Sequence, residues 1–391
     1  MKKAKCATEE KTKVIHAGLD RDPFTGASSI PIYQVSTYHQ ADPMHLGPRD
    51  YGRGDNPTRE ALEAAVAELE GGVRGFAFGS GVAAIGSTLL ALAKAGDHVI
   101  AARDIYGGTY RILTTIFRDW GLNATFVDMT DVDEIRKAAR PNTRVVFAET
   151  PSNPAMRITD LALVAKTARE LGAFSIVDNT FMTPYLQKPL ALGFDVSLHS
   201  ATKFLGGHSD LIAGVAVAAD DKTAARIRRV QTGFGAILGP QDSWLVLRGI
   251  RTLAARMDAQ QAGAGAMAAW LGTRPEVGKV NYPGLPRHPG RDIHFAQASG
   301  AGAVLSFELA DREAVARFLG AVSLPLVAVS LGGVESILSY PATMSHASMP
   351  PEVRRSLGIP DGLIRLSVGL EGTGDLIADL ECALAAASQI G

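Results

Sequence analysis

Cysteine, charge of a single sign and long hydrophobic runs are all scarce in this sequence. Only Cys6 and Cys382 occur among 391 residues, and two cysteines near opposite ends offer neither a disulfide framework nor a CxxC metal pair. Lysine and arginine number 39 against 40 aspartates and glutamates, which leaves a net charge of −1 and no electrostatic case for binding nucleic acid or an anionic membrane. Apolar runs are short or interrupted, so none reaches the roughly 20 residues that span a bilayer.

The remaining composition, 46% hydrophobic and 20% charged, is typical of a globular protein. No apolar segment follows the basic residues at the start of the chain, so a secretory leader is not expected. Together with the scarcity of cysteine, this favours a cytoplasmic location. The expected partner is a small molecule, with no metal, nucleic acid or membrane.

The glycine fingerprints of nucleotide sites are missing as well, because neither GxGxxG nor a Walker A sequence occurs. A short strand at Phe76 does run into the small-residue turn Gly79-Ser80-Gly81, which opens a helix. Backbone N–H groups at such a turn can bind phosphate. Ordinary strand-to-helix turns also contain glycine, so this turn alone is a weak signal.

Strands and helices alternate regularly through most of the chain, which predicts an α/β fold with a mostly parallel sheet covered on both faces. After about Pro240 the pattern changes to one long helix at 242–271, followed by short strands. A chain of this length favours one large domain with a smaller one. We predict an N-terminal arm at 1–56, a large α/β domain at 57–245 and a C-terminal α+β domain at 246–391.

The predicted arm is rich in proline and glycine and carries little periodicity. An arm of this length is poorly stabilised unless it lies on another surface, and a neighbouring copy of the chain is the expected one. Asn56 and Pro57 are suited to begin the helix that follows. Just before it, Arg53 is either a solvated surface charge or, with Tyr51, a group that reaches an anion.

Two strand ends carry the residues with the clearest chemistry. An apolar strand at 173–177 ends on Asp178, and the next strand leads into Ser200-Ala-Thr202-Lys203. Ligands of open parallel sheets bind at the carboxyl ends of strands, and a desolvated lysine is a nucleophile toward carbonyls. A lysine for a Schiff base, an aspartate for a pyridine nitrogen and hydroxyls for phosphate are what pyridoxal 5'-phosphate (PLP) requires. The two stretches together predict a PLP site, although the lysine alone is more typical of a polar surface loop.

A single arginine interrupts an otherwise apolar strand near the C-terminus, in Leu363-Ile-Arg365-Leu-Ser-Val. Charged residues in such strands usually lie at an edge or on the surface. Arg365 is alternatively an anchor for a carboxylate, since the guanidinium fork matches that group in two-point hydrogen bonding.

Taken together, these stretches resemble the Cys/Met-metabolism family of PLP enzymes, which has the fold of aspartate aminotransferase (PLP fold type I). The resemblance covers nearly the whole chain. It is carried by Tyr51-Gly-Arg-Gly-Asp-Asn-Pro-Thr-Arg59, Gly79-Ser-Gly81, Tyr106-Gly-Gly-Thr, Glu149-Thr-Pro-Ser-Asn153-Pro, Val177-Asp-Asn-Thr, His199-Ser-Ala-Thr-Lys203-Phe-Leu-Gly-Gly-His-Ser-Asp, Ser330-Leu-Gly-Gly-Val-Glu-Ser and Ile364-Arg-Leu-Ser-Val-Gly-Leu-Glu371.

The resemblance implies a set of cofactor contacts. It makes Lys203 the Schiff-base lysine and Asp178 the partner of the pyridine nitrogen. The remaining groups bind the phosphate, stack on the ring or lie near its 3'-oxygen. The phosphate contacts are the backbone amides of Gly81 and Val82, the hydroxyls of Ser200 and Thr202, and Tyr51 and Arg53 from the neighbouring subunit; Tyr106 stacks on the ring, and Asn153 lies near the 3'-oxygen.

The same resemblance implies that Ser330 and Arg365 hold the substrate α-carboxylate, with Asn153 and Tyr51 also contacting substrate. Lys203 is the expected acid and base at the substrate carbon atoms. Tyr106 and Tyr51 are rival candidates for a further acid or base. A shared active site makes the protein a homo-oligomer, expected to be a tetramer built from two catalytic dimers.

Which reaction the chain catalyses is less sharply predicted. The run from Val334 to His346 resembles bacterial cystathionine lyases, and we expect γ-elimination from L-cystathionine, with β-elimination close behind. The alternative is a γ-replacement on an O-acylhomoserine, as in cystathionine γ-synthase. Methionine γ-lyases usually carry cysteine where this chain has Gly108, which makes that activity less favoured. The sequence departs from the family pattern at Gly52 and at Gly54-Asp55, beside Tyr51 and Arg53.

Overall fold

The computed structural model describes residues 8–18, 22, 24–347, 349 and 351–388. Much of the predicted arm has little regular structure, but a short helix, α1 (Glu10–His16), lies within it and buries Val14. The sequence predicted an extended segment there, so this helix was missed. Cys6 lies outside the described residues. The contact between the arm and a neighbouring subunit stays a prediction.

A seven-stranded sheet forms the centre of the larger part of the molecule. Its strands are β1 (Arg74–Phe78), β2 (His98–Ala102), β3 (Asn123–Val127), β4 (Thr143–Glu149), β5 (Phe174–Asp178), β6 (Val196–His199) and β7 (Gly214–Ala218), in the order β1-β7-β6-β5-β4-β2-β3. Only β7 runs antiparallel to its two neighbours; the other pairs are parallel. The predicted mostly parallel sheet is therefore confirmed.

Helices cover both faces of this sheet, because its strands are apolar on both sides. Val215 and Val217 of β7 belong to one buried cluster and Ala216 and Ala218 to another, as the alternation of side chains along a strand requires. The helices in this part are α2 (Pro57–Glu70), α3 (Gly81–Leu92), α4 (Gly107–Thr114), α5 (Ile116–Asp119), α6 (Val132–Ala138), α7 (Leu161–Glu170), α8 (Thr183–Leu186) and α9 (Asp221–Phe234), with a 3₁₀ turn at Pro189–Leu192.

The predicted start of α2 is confirmed. The Asn56 side chain accepts hydrogen bonds from the backbone N–H groups of Thr58 and Arg59, and Pro57 occupies the first helical position. The helix ends at Glu70, and the residue that follows it, Gly71, has a φ of 76° in the left-handed region that glycine adopts readily. This start fixes the direction in which the preceding Tyr51–Asp55 segment leaves the helix.

A second, five-stranded sheet forms the C-terminal part. It follows two helices, α10 (Pro240–Ile250) and α11 (Leu253–Leu271), where the sequence predicted one long helix. The later elements are β8 (Lys279–Asn281), α12 (Arg291–Gln297), β9 (Val304–Glu308), α13 (Arg312–Ala321), β10 (Leu326–Val327), β11 (Ile337–Ser339), α14 (Pro351–Ser356), β12 (Leu363–Ser367) and α15 (Thr373–Ala387). The sheet order is β10-β11-β12-β9-β8, and only β10 and β11 pair in parallel.

This smaller sheet has its own apolar core, which includes Met267, Phe307, Phe318 and Leu380. A mixed sheet with helices agrees with the predicted α+β character of the C-terminal part. The predicted boundary at 245–246 falls within α10, and the domain bounds stay a prediction. Among the described residues, no helix is both long and apolar enough to cross a membrane.

Candidate active site

A cavity of about 650 Å³ opens where the carboxyl ends of the parallel strands meet the loops of the smaller sheet. Most of the predicted site residues line it, and only Tyr51 and Arg53 do not. The residues brought together are Gly81, Val82, Tyr106, Asn153, Asp178, Ser200, Thr202, Lys203, Ser330 and Arg365.

Lys203 lies in the tight turn that follows β6. Its neighbours Ala201 and Phe204 are fully buried, so the backbone is held while the side chain extends into the cavity. The ammonium group donates a hydrogen bond of 2.5 Å to the hydroxyl of Ser330. Burial, and then the nearby charge of Arg365, lower the pKa of Lys203 to about 8. A substantial fraction of the amine is therefore neutral, and so nucleophilic, slightly above neutral pH.

Asp178 ends β5 and faces the same cavity. One carboxylate oxygen, Oδ1, accepts hydrogen bonds from the backbone N–H and the hydroxyl of Thr180, at 3.0 and 2.5 Å. Burial raises the pKa of Asp178 above its usual value, although these hydrogen bonds act in the opposite direction. A cation placed against the carboxylate would also lower this pKa and keep the aspartate ionised.

The start of α3 supplies backbone donors on another side of the cavity. The Ser80 hydroxyl accepts a hydrogen bond from the amide of Ala83 and caps the helix, and the first amides of a helix have no partner within it. A Cβ atom on Gly81 would lie 2.9 Å from the side chain of Ser200. Glycine at this position therefore lets Ser200 approach the helix start, which makes a cradle suited to an anion.

The Thr202 hydroxyl, which was predicted to contact the phosphate, makes hydrogen bonds to the protein backbone instead. Its hydroxyl donates to the carbonyl of Ala213 and accepts from the amide of the same residue, at 3.2 and 3.0 Å. A hydroxyl hydrogen can rotate, so contact with a phosphate requires Thr202 to give up its donation to Ala213. Its predicted role stays a prediction.

Arg365 lies in the middle of β12 and is only 3% exposed. Its Nη1 donates to Oδ1 of Asn153 at 2.9 Å, and its Nη2 donates to the carbonyl of Ser330 and the hydroxyl of Ser339. Burial lowers the pKa of Arg365 to about 10, and no carboxylate neutralises it at salt-bridge distance among the described residues. The surface-edge alternative is wrong, because this guanidinium is buried beside a cavity.

Ser330 connects the two cations of the site. It accepts from Lys203 through its hydroxyl and from Arg365 through its carbonyl. Its φ of 97° lies in the left-handed region, which is uncommon for serine, and such strain persists where the surroundings determine the backbone. Two residues further along the chain, a Cβ on Gly332 would lie 2.7 Å from the backbone nitrogen of Phe204. The loop therefore packs directly on the lysine turn.

Tyr106 stands at the mouth of the cavity, just before α4, and is 37% exposed. Its backbone amide donates to Oε2 of Glu149 at 2.8 Å. A Cβ on Gly108 would lie 2.4 Å from Cε1 of the Tyr106 ring, so the ring occupies the space of a side chain at position 108. Burial raises the pKa of Tyr106, which keeps its hydroxyl protonated at neutral pH.

Tyr51 and Arg53 lie outside this cavity. Tyr51 is 47% exposed, Arg53 is also exposed, and the guanidinium of Arg53 lies 5.3 Å from the centre of the Tyr51 ring. Their predicted roles at a neighbouring subunit's phosphate stay predictions.

Three residues of the site were missed. Thr180 bridges two strand ends, since its hydroxyl donates to Asp178 and accepts from the amide of Ser200. Glu149, which holds the Tyr106 backbone, is buried beside Asp178, and burial raises its pKa well above the usual range. Arg111 of α4 adds a second guanidinium to the lining. The Asp-x-Thr spacing signals the first of these, because such side chains commonly bond within a turn.

Comparisons with known proteins place these observations in a family. A model of the family described as Cys/Met metabolism PLP-dependent enzymes matches residues 11–385. Cystathionine beta-lyase MetC of Bacillus subtilis is 52% identical over 95% of each chain, and cystathionine gamma-lyase of the same organism is 50% identical over 96% of this chain and 99% of its own. A crystal structure of cystathionine gamma synthase from Xanthomonas oryzae pv. oryzae in complex with cystathionine superimposes with a TM-score of 0.95, at 40% identity, over 98% of this chain and 99% of that one.

Proposed function

Because this chain belongs to the Cys/Met-metabolism family of PLP-dependent enzymes, we propose that it is a carbon–sulfur lyase that cleaves L-cystathionine. The favoured reaction is γ-elimination to cysteine, 2-oxobutyrate and ammonia; β-elimination to homocysteine, pyruvate and ammonia is close behind. The observation that carries this proposal is a single cavity that presents Lys203, Asp178 and Arg365 together.

The residues of the cavity fit PLP. Lys203 has a lowered pKa and would hold the aldehyde carbon, and Asp178 at a neighbouring strand end would face the pyridine nitrogen. The cradle of Gly81, Val82 and Ser200 suits the phosphate, because the Gly81 and Val82 amides have no hydrogen-bond partner among the described residues and the close approach of Ser200 would be blocked by a Cβ on Gly81. When bound, the cofactor supplies a ring that accepts negative charge from the substrate Cα.

The protein's own groups would then move protons and hold the substrate. Arg365, with Ser330 beside it, would bind the α-carboxylate and fix the orientation of Cα. The amine of Lys203 would take the Cα proton and, for γ-elimination, a proton from Cβ as well. Tyr106, which lines the cavity and keeps its proton at neutral pH, would donate a proton to the leaving sulfur.

A second guanidinium in the cavity lining supports a substrate that carries two carboxylates. Arg111 is exposed on α4 and lines the same cavity as the buried Arg365. L-cystathionine carries a carboxylate at each end, so one guanidinium would bind the reacting end and Arg111 the distant one.

Product analysis tests this function. We expect purified protein incubated with L-cystathionine to release a keto acid, identified by mass spectrometry as 2-oxobutyrate or pyruvate. The alternative, a γ-replacement, is supported by the similarity to a cystathionine gamma synthase. It predicts cystathionine from O-acylhomoserine and cysteine, with no keto acid from cystathionine. Neither product from either substrate would contradict both proposals.

The pH dependence of cofactor attachment follows from Lys203. Only the neutral amine attacks an aldehyde, and the pKa of Lys203 is about 8. We expect the rate of PLP attachment to cofactor-free protein to rise about tenfold per pH unit below pH 8 and to level off above it. An ordinary lysine, with a pKa of about 10.4, would give a rate still rising at pH 9. Stopped-flow absorbance measures this, and a plateau only above pH 10 would contradict the assignment.

Gly108 provides a further prediction. The substitution Gly108→Ala is expected to displace the Tyr106 ring, because the new Cβ would lie 2.4 Å from it, and to lower kcat at least about tenfold. Gly86→Ala in α3 is the matched control, since its Cβ would find no atom closer than 4.0 Å. Unchanged kcat in Gly108→Ala, measured by keto-acid release, would mean that the ring position is not needed.

We further propose a cytoplasmic homotetramer of two catalytic dimers, in which Tyr51 and Arg53 reach the phosphate held by the neighbouring subunit. The exposure of both side chains, outside their own chain's cavity, supports this. Random hybrids of Lys203→Ala and Arg53→Ala chains should recover about a quarter of the wild-type activity, because half of the dimers would contain one intact site. Hybrids verified by mass that recover no activity would contradict action in trans, and sedimentation gives the subunit count.

A further inference from the structure

The segment Tyr51–Gly54, here called the 51–54 loop, forms a tight turn. The amide of Gly54 donates to the carbonyl of Tyr51 at 2.9 Å, and the amide of Gly52 donates to the carbonyl of Ser36 at 2.7 Å. The side chains of Tyr51 and Arg53 extend from this turn and are exposed. Cδ of Arg53 lies 3.4 Å from the position that a Cβ on Gly235 would take. Exposed side chains on a short loop have an accurate position only if the backbone beneath them is fixed.

The side chain of Arg59 holds the backbone of the 51–54 loop in place. It is only 1% exposed, beneath the loop, and its guanidinium donates to three successive carbonyls, those of residues 52, 53 and 54, at 3.1, 3.2 and 2.6 Å. Among the residues that the structure describes, its Nε has no hydrogen-bond partner, and the carboxylate of Glu63 lies 3.6 Å away. Because all three carbonyls bind to one planar guanidinium, they hold the loop in a geometry that an ammonium group cannot reproduce.

A second connection holds the end of the loop. Oδ1 of Asp55 pairs with Arg228 of α9 at 2.6 Å, and Arg228 also donates to Gln231 at 3.2 Å. Gln231 in turn donates to Glu63 at 2.8 Å, and the Glu63 carboxylate lies 3.6 Å from Nε of Arg59, so a chain of polar contacts leads back to Arg59. Asp55 is one of the positions at which the sequence departs from the family pattern, and the structure gives it this partner.

These polar contacts also reach the phosphate cradle of the same chain. Glu63 accepts from the amide of Ala77 at 2.9 Å, and Gln231 donates to the carbonyl of Ala77 at 3.1 Å. Ala77 belongs to β1, which runs directly into the Gly79–Gly81 turn. One polar network therefore fixes both the loop that would serve a neighbouring site and the strand that leads into the chain's own site.

We propose that Arg59 is a positioning residue for the cofactor phosphate, acting through the 51–54 loop. The Asp55–Arg228 ion pair holds the same loop at its outer end. Both act by fixing the geometry in which Arg53 meets the phosphate, and neither touches the cofactor. This inference rests on the proposed function, since it requires PLP and the proposed contact of Arg53.

The test compares two ligands on cofactor-free full-length protein: PLP, and pyridoxal, which lacks the phosphate. Arg59→Lys keeps the charge and removes the fork. We expect it to weaken PLP binding about tenfold and to leave pyridoxal binding within about twofold. A defect that only loosened the fold would weaken both ligands equally, and that outcome would overturn the proposal.

A double-mutant cycle makes the test independent of folding. In an Arg53→Ala background, Arg59→Lys should have almost no further effect on PLP affinity, because the group that it positions is gone. Full additivity of the two substitutions would overturn the proposal. Asp55→Asn, at a partly exposed position, gives a milder second variant, expected to weaken PLP about threefold and not pyridoxal. Arg317→Lys is the control, since it alters a guanidinium that donates to the Ala387 carbonyl in the C-terminal part.

The outcomes separate this inference from the function beneath it. If Arg53→Ala leaves the ratio of PLP to pyridoxal affinity unchanged, the proposed phosphate role of Arg53 is wrong, and the positioning role falls with it. If Arg53→Ala reduces that ratio but Arg59→Lys and Asp55→Asn do not, only the positioning role is overturned.

Discussion

Replacement of Lys203 by alanine is expected to reduce cystathionine cleavage by at least about 10⁴-fold while the protein stays folded. Positioned proton transfer alone contributes roughly 10²–10⁴-fold, and the covalent attachment of the cofactor is lost with it. The turn itself should survive, because Ala201 and Phe204 rather than the lysine side chain hold its backbone. Keto-acid release measures the activity, and circular dichroism measures the fold.

The attachment site gives an independent measurement. Borohydride treatment of the wild-type protein should leave the cofactor on the tryptic peptide that contains Lys203, and Lys203→Ala should carry none. Lys188→Ala is the matched control, because that lysine is half-buried and pairs with Glu10 at 2.6 Å, outside the cavity lining. A native rate in Lys203→Ala would show that the chemistry has been assigned to the wrong residue.

Asp178→Asn is expected to lower kcat about 10²-fold or more, by analogy with the removal of one preorganised electrostatic group. Asparagine keeps the size of the side chain and the oxygen that accepts from Thr180, so the loss comes from the missing charge. A PLP analogue methylated on the ring nitrogen is permanently cationic, and it should restore part of the activity of the variant.

The control for this charge is a carboxylate that contacts the other end of β5 from the position just before β6. Asp195 accepts from the amide and hydroxyl of Ser175 at 2.7 and 2.9 Å, so Asp195→Asn should lower Tm without changing kcat. If Asp178→Asn changed only Tm in the same way, the carboxylate would have a structural role and no role at the cofactor.

The main features of the site could be predicted because they depend on local rules. Asp178 and Lys203 each follow a run of buried strand, and the ends of parallel strands meet at one edge. Asn56 and Pro57 mark a helix start that depends only on neighbouring residues. Glu149 was missed because its role depends on pairing across the chain: it reaches the backbone of Tyr106, and its position next to Asp178 exists only in the folded sheet.

The break between α10 and α11 was missed for a similar reason. Residues 242–271 are rich in helix-forming side chains, and no proline interrupts them. In the structure, a Cβ on Gly249 would lie 2.3 Å from the carbonyl oxygen of Gly206. The end of α10 therefore packs against the backbone that follows Lys203, and this contact, which a helical pattern cannot encode, accompanies the interruption of the helix at Arg251 and Thr252.

Ser330 makes hydrogen bonds to Lys203 and Arg365, which are held by different sheets. Lys203 follows β6 of the larger sheet, whereas Arg365 lies in β12 of the smaller one, and one strained serine joins the two cations. The distance between the Lys203 amine and the Arg365 guanidinium therefore depends on how the part of the molecule around the larger sheet packs against the part around the smaller one. Warming that loosened this packing would move Lys203 relative to Arg365 while each part kept its own apolar core. Enzymatic activity should therefore be lost at a lower temperature than the Tm.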